Sequence, residues 1–124
     1  MNADQYQNAV DRYFEVWNTT DPEALAKAVS DVWTEDGTYT DPMVEARGPR
    51  EIAEFIAAAH ARFPGFEYRP LGRVDGHHDL VRFGWELVST ADGSAPIAGF
   101  DVVTLTEDGR VRSVKGFLDR VPTA

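Results

Sequence analysis

The amino-acid sequence predicts an α+β fold in which three N-terminal helices pack in the concave face of a strongly curved, mostly antiparallel sheet, forming a cone-shaped α+β barrel. Two observations lead to this prediction. Apolar residues recur at helical spacing in three early segments, and strand-like segments of roughly eight to ten residues, separated by turn signals, follow from Phe66 onward. Because the apolar helix faces need one continuous covering surface, we expect the sheet to curl around them.

Each predicted helix has start or stop signals. Asn2 and Gln5 have the spacing of a capping box before the first helix, and Asp21-Pro22 supplies an N-cap and a first-turn proline for the second. Gly48-Pro49 opens the third helix and Pro64-Gly65 ends it. The apolar faces of the three helices are formed in turn by Tyr6, Ala9, Val10, Tyr13, Phe14 and Trp17; by Leu25, Ala28, Val29 and Val32; and by Ile52, Phe55, Ile56, Ala59 and Phe63.

Turn signals divide the remaining sequence into strands. Glu35-Asp36-Gly37 predicts a turn, and the β-prone segment 38–41 that follows stops at Pro42, which cannot continue a central ladder. Asp41 is therefore expected at the end of a strand. In the second half of the chain an antiparallel meander is predicted, with turns at Asp75-Gly76, Asp92-Gly93 and Asp108-Gly109.

Length and composition limit the possible classes of protein. A chain of 124 residues, 43% hydrophobic and 27% charged, is typical of one globular domain, so we expect a single domain over residues 1–124. The net charge of −9 disfavours binding to nucleic acid or to anionic membrane surfaces. The absence of cysteine excludes disulfides and thiolate metal sites. No signal peptide or membrane-spanning run is evident, so a cytoplasmic location is expected.

The predicted strand 97–106 carries one acidic residue among apolar ones. Alternation places Asp101 on the same face as Ile97, Gly99, Val103 and Leu105, but the opposite face is also fairly apolar, so the pattern leaves open which face is buried. If Asp101 faces the core, desolvation raises its pKa and favours the protonated, hydrogen-bond-donating carboxyl group. The alternative is a structural carboxylate that caps the backbone or pairs with Arg82.

Tyr13 and Asp41 are the other candidate site residues. Tyr13 lies in the middle of the apolar face of the first helix, so its ring is expected to be buried and its hydroxyl to need a partner. Asp41 precedes Pro42, and Asp-Pro is also a common turn dipeptide. Each residue alone therefore has a structural explanation as well as a functional one.

Taken together, these residues resemble the ketosteroid isomerase and SnoaL-like polyketide cyclase superfamily, which shares the nuclear transport factor 2 fold. The segment 12–18, RYFEVWN, resembles the helix that carries the oxyanion-hole tyrosine, and 39–44, YTDPMV, resembles the segment with the general base. The segment 99–103, GFDVV, matches the strand position of a second, protonated aspartate, and 107–111, EDGRV, is similar to a hairpin common in the superfamily. The resemblance covers nearly the whole chain.

This resemblance implies a division of roles among the three residues. Asp41 is the expected base that takes a proton from carbon, while Tyr13 and protonated Asp101 donate hydrogen bonds to the oxygen that becomes an enolate, as in ketosteroid isomerase. The implied function is that of a cofactor-independent isomerase or cyclase that moves a proton next to a carbonyl of a small, mainly apolar metabolite. Because this fold hosts several activities, a non-catalytic binding or dimerisation module and an epoxide hydrolase are the alternatives.

The predicted substrate pocket is aromatic. The bulky tryptophans make a steroid substrate doubtful, because they reshape the pocket. His60 lies beside the centre of its helix face and either reaches the pocket or edges the core. The predicted pocket residues are Trp17, Trp33, Tyr39, Phe55, His60, Phe63, Phe83, Trp85 and Val103.

Three further expectations concern charged groups and assembly. Arg82 and Glu86 share one face of their strand and are expected to form a cross-strand or surface salt link. The run Asp75-Gly76-His77-His78-Asp79 lacks further ligands at suitable spacing, so no metal and no cofactor are expected. A homodimer through the outer sheet face is expected, because relatives usually pair there and the outward strand faces are partly apolar.

Overall fold

A computed structural model describes residues 1–122, so the predicted domain of 1–124 extends two residues beyond the described part. Within residues 1–122 there are three helices and six strands, which confirms the predicted α+β class. No helix within the described range is long and apolar enough to span a membrane. In chain order the elements are α1 (Ala3–Trp17), α2 (Pro22–Val32), β1 (Trp33–Asp41), β2 (Val44–Arg47), α3 (Gly48–Arg62), β3 (Phe66–His77), β4 (Leu80–Ser89), β5 (Ile97–Leu105) and β6 (Val111–Arg120).

The helices begin where the sequence predicts. The Asn2 side chain accepts from the Gln5 N–H at 2.9 Å, and the Gln5 side chain accepts from the Asn2 N–H at 2.8 Å, so the capping box is complete. Asp21 caps α2 by accepting from the Ala24 N–H at 3.0 Å. These side chains satisfy backbone donors that a helix leaves unpaired at its first turn.

The sheet is mixed and curves without closing. Its strand order is β2-β1-β6-β5-β4-β3, with the predicted antiparallel meander from β3 to β6. Strand β1 runs parallel to β6, and the short strand β2, which the sequence analysis does not predict, extends the edge beyond β1. The order puts β6 between β1 and β5, which brings the strand that ends at Asp41 close to the strand that carries Asp101.

Two predicted turns lie inside strands. Asp75-Gly76 belongs to β3, and the chain reverses at His78 and Asp79 instead. Gly76 is needed for close packing, because a Cβ there would lie 2.6 Å from the ring of Tyr6, whose hydroxyl donates to the His78 carbonyl at 2.7 Å. The sequence pattern suggests a turn here, but the glycine is present because the ring of Tyr6 packs closely against the backbone.

The second case is Glu35-Asp36-Gly37, which lies in β1. The pairing of β1 with β6 shifts register between Trp33 and Thr38, so the segment is an irregularity in the strand. A Cβ at Gly37 would lie 2.8 Å from the Trp33 side chain. The predicted end of this strand at Asp41 is correct.

The structure decides which face of β5 is buried. Asp101, Val103 and Leu105 point into the core, whereas Phe100 points outward and stacks on Phe117 with ring centroids 5.0 Å apart. The core fills the space between the three helices and the concave face of the sheet. An inward polar side chain on β5 therefore lies under the helices.

Candidate active site

A cavity of about 340 Å³ opens between α1, α3 and the concave face of the sheet. Its wall is mostly aromatic and aliphatic, and all three predicted catalytic residues contribute to it. The lining residues are Tyr13, Phe14, Trp17, Tyr39, Asp41, Met43, Phe55, Ala58, Ala59, Arg62, Phe63, Tyr68, Trp85, Leu87, Ile97, Asp101, Leu118, Val121 and Pro122.

Tyr13 and Asp101 form a buried hydrogen-bonded pair. The Tyr13 hydroxyl donates to Asp101 Oδ2 at 2.9 Å, and each residue is only 3% exposed. The Trp85 indole N–H makes a longer contact of 3.4 Å with Asp101 Oδ1. The pair joins the middle of α1 to the middle of β5, so the tertiary packing of helix on sheet creates it.

Burial dominates the protonation of this pair. Desolvation raises the pKa of Asp101 to about 7, and the charge of Asp41 adds to this rise, although hydrogen bonds from Tyr13 and Trp85 oppose it. Burial also raises the pKa of Tyr13, and the neighbouring Asp101 raises it further. Tyr13 is therefore a neutral donor, and Asp101 is present both as acid and as carboxylate near neutral pH.

Asp41 has different surroundings. It is half-buried at the end of β1, where Oδ2 accepts from the Tyr39 hydroxyl and Oδ1 accepts from the Met43 N–H, both at 2.7 Å. Asp41 thus meets a hydroxyl and a backbone N–H at the mouth of the cavity, whereas Asp101 is enclosed. The bond to Met43 also closes the turn that Asp-Pro sequences commonly form.

Gly116 of β6 lies between the two aspartates. It pairs with Asp101 across the ladder, and a Cβ at this position would lie 2.7 Å from Asp101 Oδ1 and 3.4 Å from the Cβ of Asp41. Any larger residue would displace a carboxyl group. Sequence pattern does not reveal the role of this glycine, because the strand order that places β6 between β1 and β5 cannot be read from a single strand.

Tyr68 is a second missed residue. It lines the cavity from β3, and its ring lies 4.9 Å from that of Trp17 and 5.6 Å from that of Trp85, measured between centroids. Burial raises its pKa, and the charges of Asp41 and Asp101 contribute to the rise, so the hydroxyl remains protonated. The sequence signal that could have identified Tyr68 as a cavity residue is a tyrosine on a strand of the predicted meander.

Five of the nine predicted pocket residues line the cavity: Trp17, Tyr39, Phe55, Phe63 and Trp85. The other four do not. Trp33, Phe83 and Val103 are at most 3% exposed and lie in the closed core, with the Phe83 ring packed 5.2 Å from that of Tyr13. The sequence pattern identifies inward-facing residues but does not separate those that reach the cavity from those behind it.

His60 also lies away from the cavity. Its Nε2 is 2.6 Å from the Trp17 carbonyl oxygen, so it donates a hydrogen bond that ties α3 to the end of α1. This agrees with the interpretation in which it edges the core. Near His60, the residues of α3 that line the cavity are Ala58, Ala59 and Arg62.

Arg82 and Glu86 also lie outside the cavity. They do not pair with each other. Arg82 lies 3.6 Å from Asp75 on the adjacent strand β3, and Glu86 lies 3.1 Å from Arg120 on β6, two strands away. The Arg82 alternative for Asp101 is thus wrong, because the partner is Tyr13. No cluster of His, Cys, Asp and Glu suited to a metal ion occurs among residues 1–122.

Comparison with known proteins supports the resemblance. A family model for the SnoaL-like domain matches residues 10–114. A SnoaL-like family protein from Agrobacterium tumefaciens str. C58, provisionally named an isomerase, is 38% identical, with 93% of this chain and 97% of that chain covered and a TM-score of 0.87.

More distant structures share the fold. A protein from Jannaschia sp. CCS1, provisionally named a SnoaL-like polyketide cyclase, is 20% identical over 93% of this chain and 85% of that chain, with a TM-score of 0.75. A provisionally named polyketide cyclase from Sinorhizobium meliloti is 18% identical over 88% and 93%, with a TM-score of 0.69. Comparison with curated proteins gives no match. The matched domain and the Agrobacterium relative together establish that the chain belongs to the SnoaL-like family.

Proposed function

We propose that the protein is a cofactor-independent acid/base enzyme, an isomerase or cyclase, that moves a proton next to a carbonyl group of a small, mainly apolar molecule. The observation that carries the proposal is the presence of two carboxyl groups with opposite surroundings in one apolar cavity. Asp101 is buried against Tyr13, whereas Asp41 is partly solvated and hydrogen-bonded. Such a difference separates an acid from a base.

In the proposed reaction Asp41 takes a proton from the carbon beside the carbonyl. The electron pair of the broken C–H bond forms a C=C bond, and the carbonyl oxygen becomes an enolate oxygen that accepts hydrogen bonds from Tyr13 and Asp101. An isomerase then returns the proton to the far carbon of a C=C bond conjugated with the enolate. A cyclase instead uses the nucleophilic carbon to attack a second carbonyl, whose oxygen takes the proton from Asp41. The names given to the similar proteins include both classes.

The donor role requires protonated Asp101. A neutral tyrosine and a neutral carboxylic acid carry two hydroxyl hydrogens, and both can donate to the enolate oxygen once the Tyr13–Asp101 hydrogen bond is exchanged for bonds to the ligand. When Asp101 is ionised, the Tyr13 hydrogen is held by the carboxylate and none remains for a ligand oxygen. Because burial raises the pKa of Asp101 to about 7, proton transfer should weaken as the pH rises above that value.

The test is hydrogen exchange at carbon. The protein is incubated with 1-indanone in D2O, and proton NMR follows loss of the hydrogens beside the carbonyl. We expect Asp41→Asn to slow the enzyme-dependent exchange by about 10² to 10⁴-fold, the typical contribution of general acid/base catalysis. Asp11→Asn, the same change on the exposed surface of α1, should leave the rate unaltered. Undiminished exchange in Asp41→Asn removes Asp41 from the mechanism.

A non-catalytic binding module is the second candidate, and the hydrogen bonds of Asp41 favour it. The contact from the Met43 N–H gives the carboxylate a structural task in the turn, without any chemistry. This candidate predicts that the wild-type protein binds 1-indanone but does not accelerate its exchange. This candidate is therefore favoured if the wild type binds 1-indanone while hydrogen exchange is no faster than without protein.

We also infer a homodimer formed through the outer face of the sheet. Leu71, Gly84, Phe100 and Phe117 pair consecutively across β3, β4, β5 and β6, which aligns them in one outward row. Leu71 is 44% exposed and Phe117 is 51% exposed. A second copy would cover this row and remove its apolar surface from water.

A further inference from the structure

Arg62 is the one basic side chain that lines the cavity among residues 1–122. It is the last residue of α3 and is exposed at the rim, while the remainder of the wall is aromatic or aliphatic apart from the two aspartates and the tyrosine hydroxyls. The cavity thus has carboxyl groups on the sheet side and a guanidinium group on the α3 side.

Among residues 1–122, no protein anion neutralises the guanidinium of Arg62. Within the described chain it makes no ion pair and no hydrogen bond, although the protein has 21 acidic residues against 12 basic ones, and Arg50 of the same helix lies 3.9 Å from Glu54. Its carbon Cζ lies 5.8 Å from the ring centroid of Phe63, another lining residue. A contact with a ring face orients the guanidinium and leaves its N–H donors available.

Helix stability accounts for only part of this arrangement. A cation in the last turn of a helix is favoured by the helix dipole, by about 0.3–1 kcal/mol. That effect explains a basic residue near the end of α3 but does not require it to lie on the rim of the apolar cavity. A planar fork of N–H donors beside an apolar cavity matches a carboxylate, which accepts two parallel hydrogen bonds.

We propose that Arg62 determines substrate class, and that the cavity takes an amphiphilic carboxylate whose carbonyl reaches Tyr13 and Asp101 while its carboxylate binds Arg62 at the rim. The orientation of the ligand in this inference rests on the proposed function. The apolar body of such a ligand lies against the aromatic wall, and the charge remains near solvent, where its desolvation cost is small.

The experiment compares two probes of the same shape, 4-acetylbenzoate and 4-acetylbenzamide, which differ in charge. Calorimetry gives the Kd of each for the wild type, for Arg62→Gln and for Arg73→Gln. Arg73 is an exposed residue of β3 outside the cavity, so its variant makes the same change in net charge. We expect the wild type and Arg73→Gln to bind the benzoate roughly five- to tenfold more tightly than the benzamide, a ratio typical of one accessible charged hydrogen-bonded pair.

In Arg62→Gln this preference should disappear, with the Kd of the benzamide nearly unchanged, and Arg62→Glu should reverse it. The inference is overturned if the wild type binds neither probe, binds both equally, or keeps its preference in Arg62→Gln. Calorimetry measures binding without turnover. A failure of the carboxylate preference can therefore be distinguished from a failure of the proposed reaction. A protein that prefers the carboxylate but exchanges no ketone hydrogen keeps this inference and loses the proposed reaction.

Discussion

Asp101 and Asp41 have the same side chain and opposite surroundings. Asp101 is covered by α1 and meets a tyrosine hydroxyl, and desolvation is the largest influence on its pKa. Asp41 lies where β1 ends, and it accepts hydrogen bonds from a hydroxyl and a backbone N–H. Position in the fold, rather than residue type, therefore divides the proposed roles of acid and base.

Asp101 also links stability to pH. Its pKa is about 7 in the folded protein and 3.8 without burial, so between these values the folded state binds more protons than the unfolded state. The free energy of unfolding contributed by this group therefore falls as the pH rises from about 4 to about 7. Charged Asp101 is destabilising above that window.

We predict that Asp101→Asn becomes more stable relative to the wild type as the pH increases. Between pH 5 and pH 8 the difference in unfolding free energy should shift by about 3 kcal/mol in favour of the variant. The wild type loses one bound proton's linkage over about two pH units, at about 1.4 kcal/mol per unit, and the variant does not. Urea unfolding of both proteins at the two pH values measures this shift. Parallel pH dependences would mean that Asp101 titrates normally in the folded protein.

At the level of elements, the contact between β1, β6 and β5 assembles the two carboxyl groups. Strand β6 runs parallel to β1 and antiparallel to β5, and Gly116 is the residue of β6 that separates Asp41 from Asp101. Without a side chain at this point, the two groups lie close enough for the charge of Asp41 to raise the pKa of Asp101.

Gly116→Ala should destabilise the protein because its methyl group would crowd Asp101, which Tyr13 and Trp85 hold in place. A cost of about 1–3 kcal/mol is expected for overpacking of this kind. Urea unfolding of a double-mutant cycle with Asp101→Ala provides the control, since removal of the carboxyl group should relieve most of the cost. An equal cost in both backgrounds would show that Asp101 is not the group that is crowded.

At the level of the whole molecule, the sheet has two differently used faces. The concave face is covered by the helices and contains the cavity, while the convex face presents the row Leu71, Gly84, Phe100 and Phe117. The proposed homodimer uses the convex face, so each cavity remains within one copy and accessible to a ligand.

Phe117→Glu should convert the proposed dimer into a monomer, because each copy would place a carboxylate in the apolar contact. Sedimentation velocity at micromolar concentration measures the change. The control is Asn8→Glu on the exposed surface of α1, which adds the same charge and should leave the dimer intact. A wild-type protein that sediments as a monomer would contradict the dimer itself.

The sequence by itself determined the three helices, the meander and the candidate residues. Capping residues such as Asn2 and Asp21 set the helix starts through local hydrogen bonds, and these signals need no information from the rest of the chain. The prediction of Tyr13, Asp41 and Asp101 as one site rested on their joint order in a family pattern. All three line one cavity, while their catalytic roles stay predictions.

Only the tertiary structure decided which inward residues meet the cavity. Both faces of β5 are apolar enough to be buried, and packing under α1 selected the face of Asp101. Glycines were ambiguous for a similar reason: Gly76 and Gly116 serve close approaches between elements distant in sequence, and sequence pattern reads glycine locally as a turn. The site depends on contacts between residues far apart in the chain, such as Tyr13 and Asp101. Local periodicity contains no information about such contacts, because it reports only on residues close together in sequence.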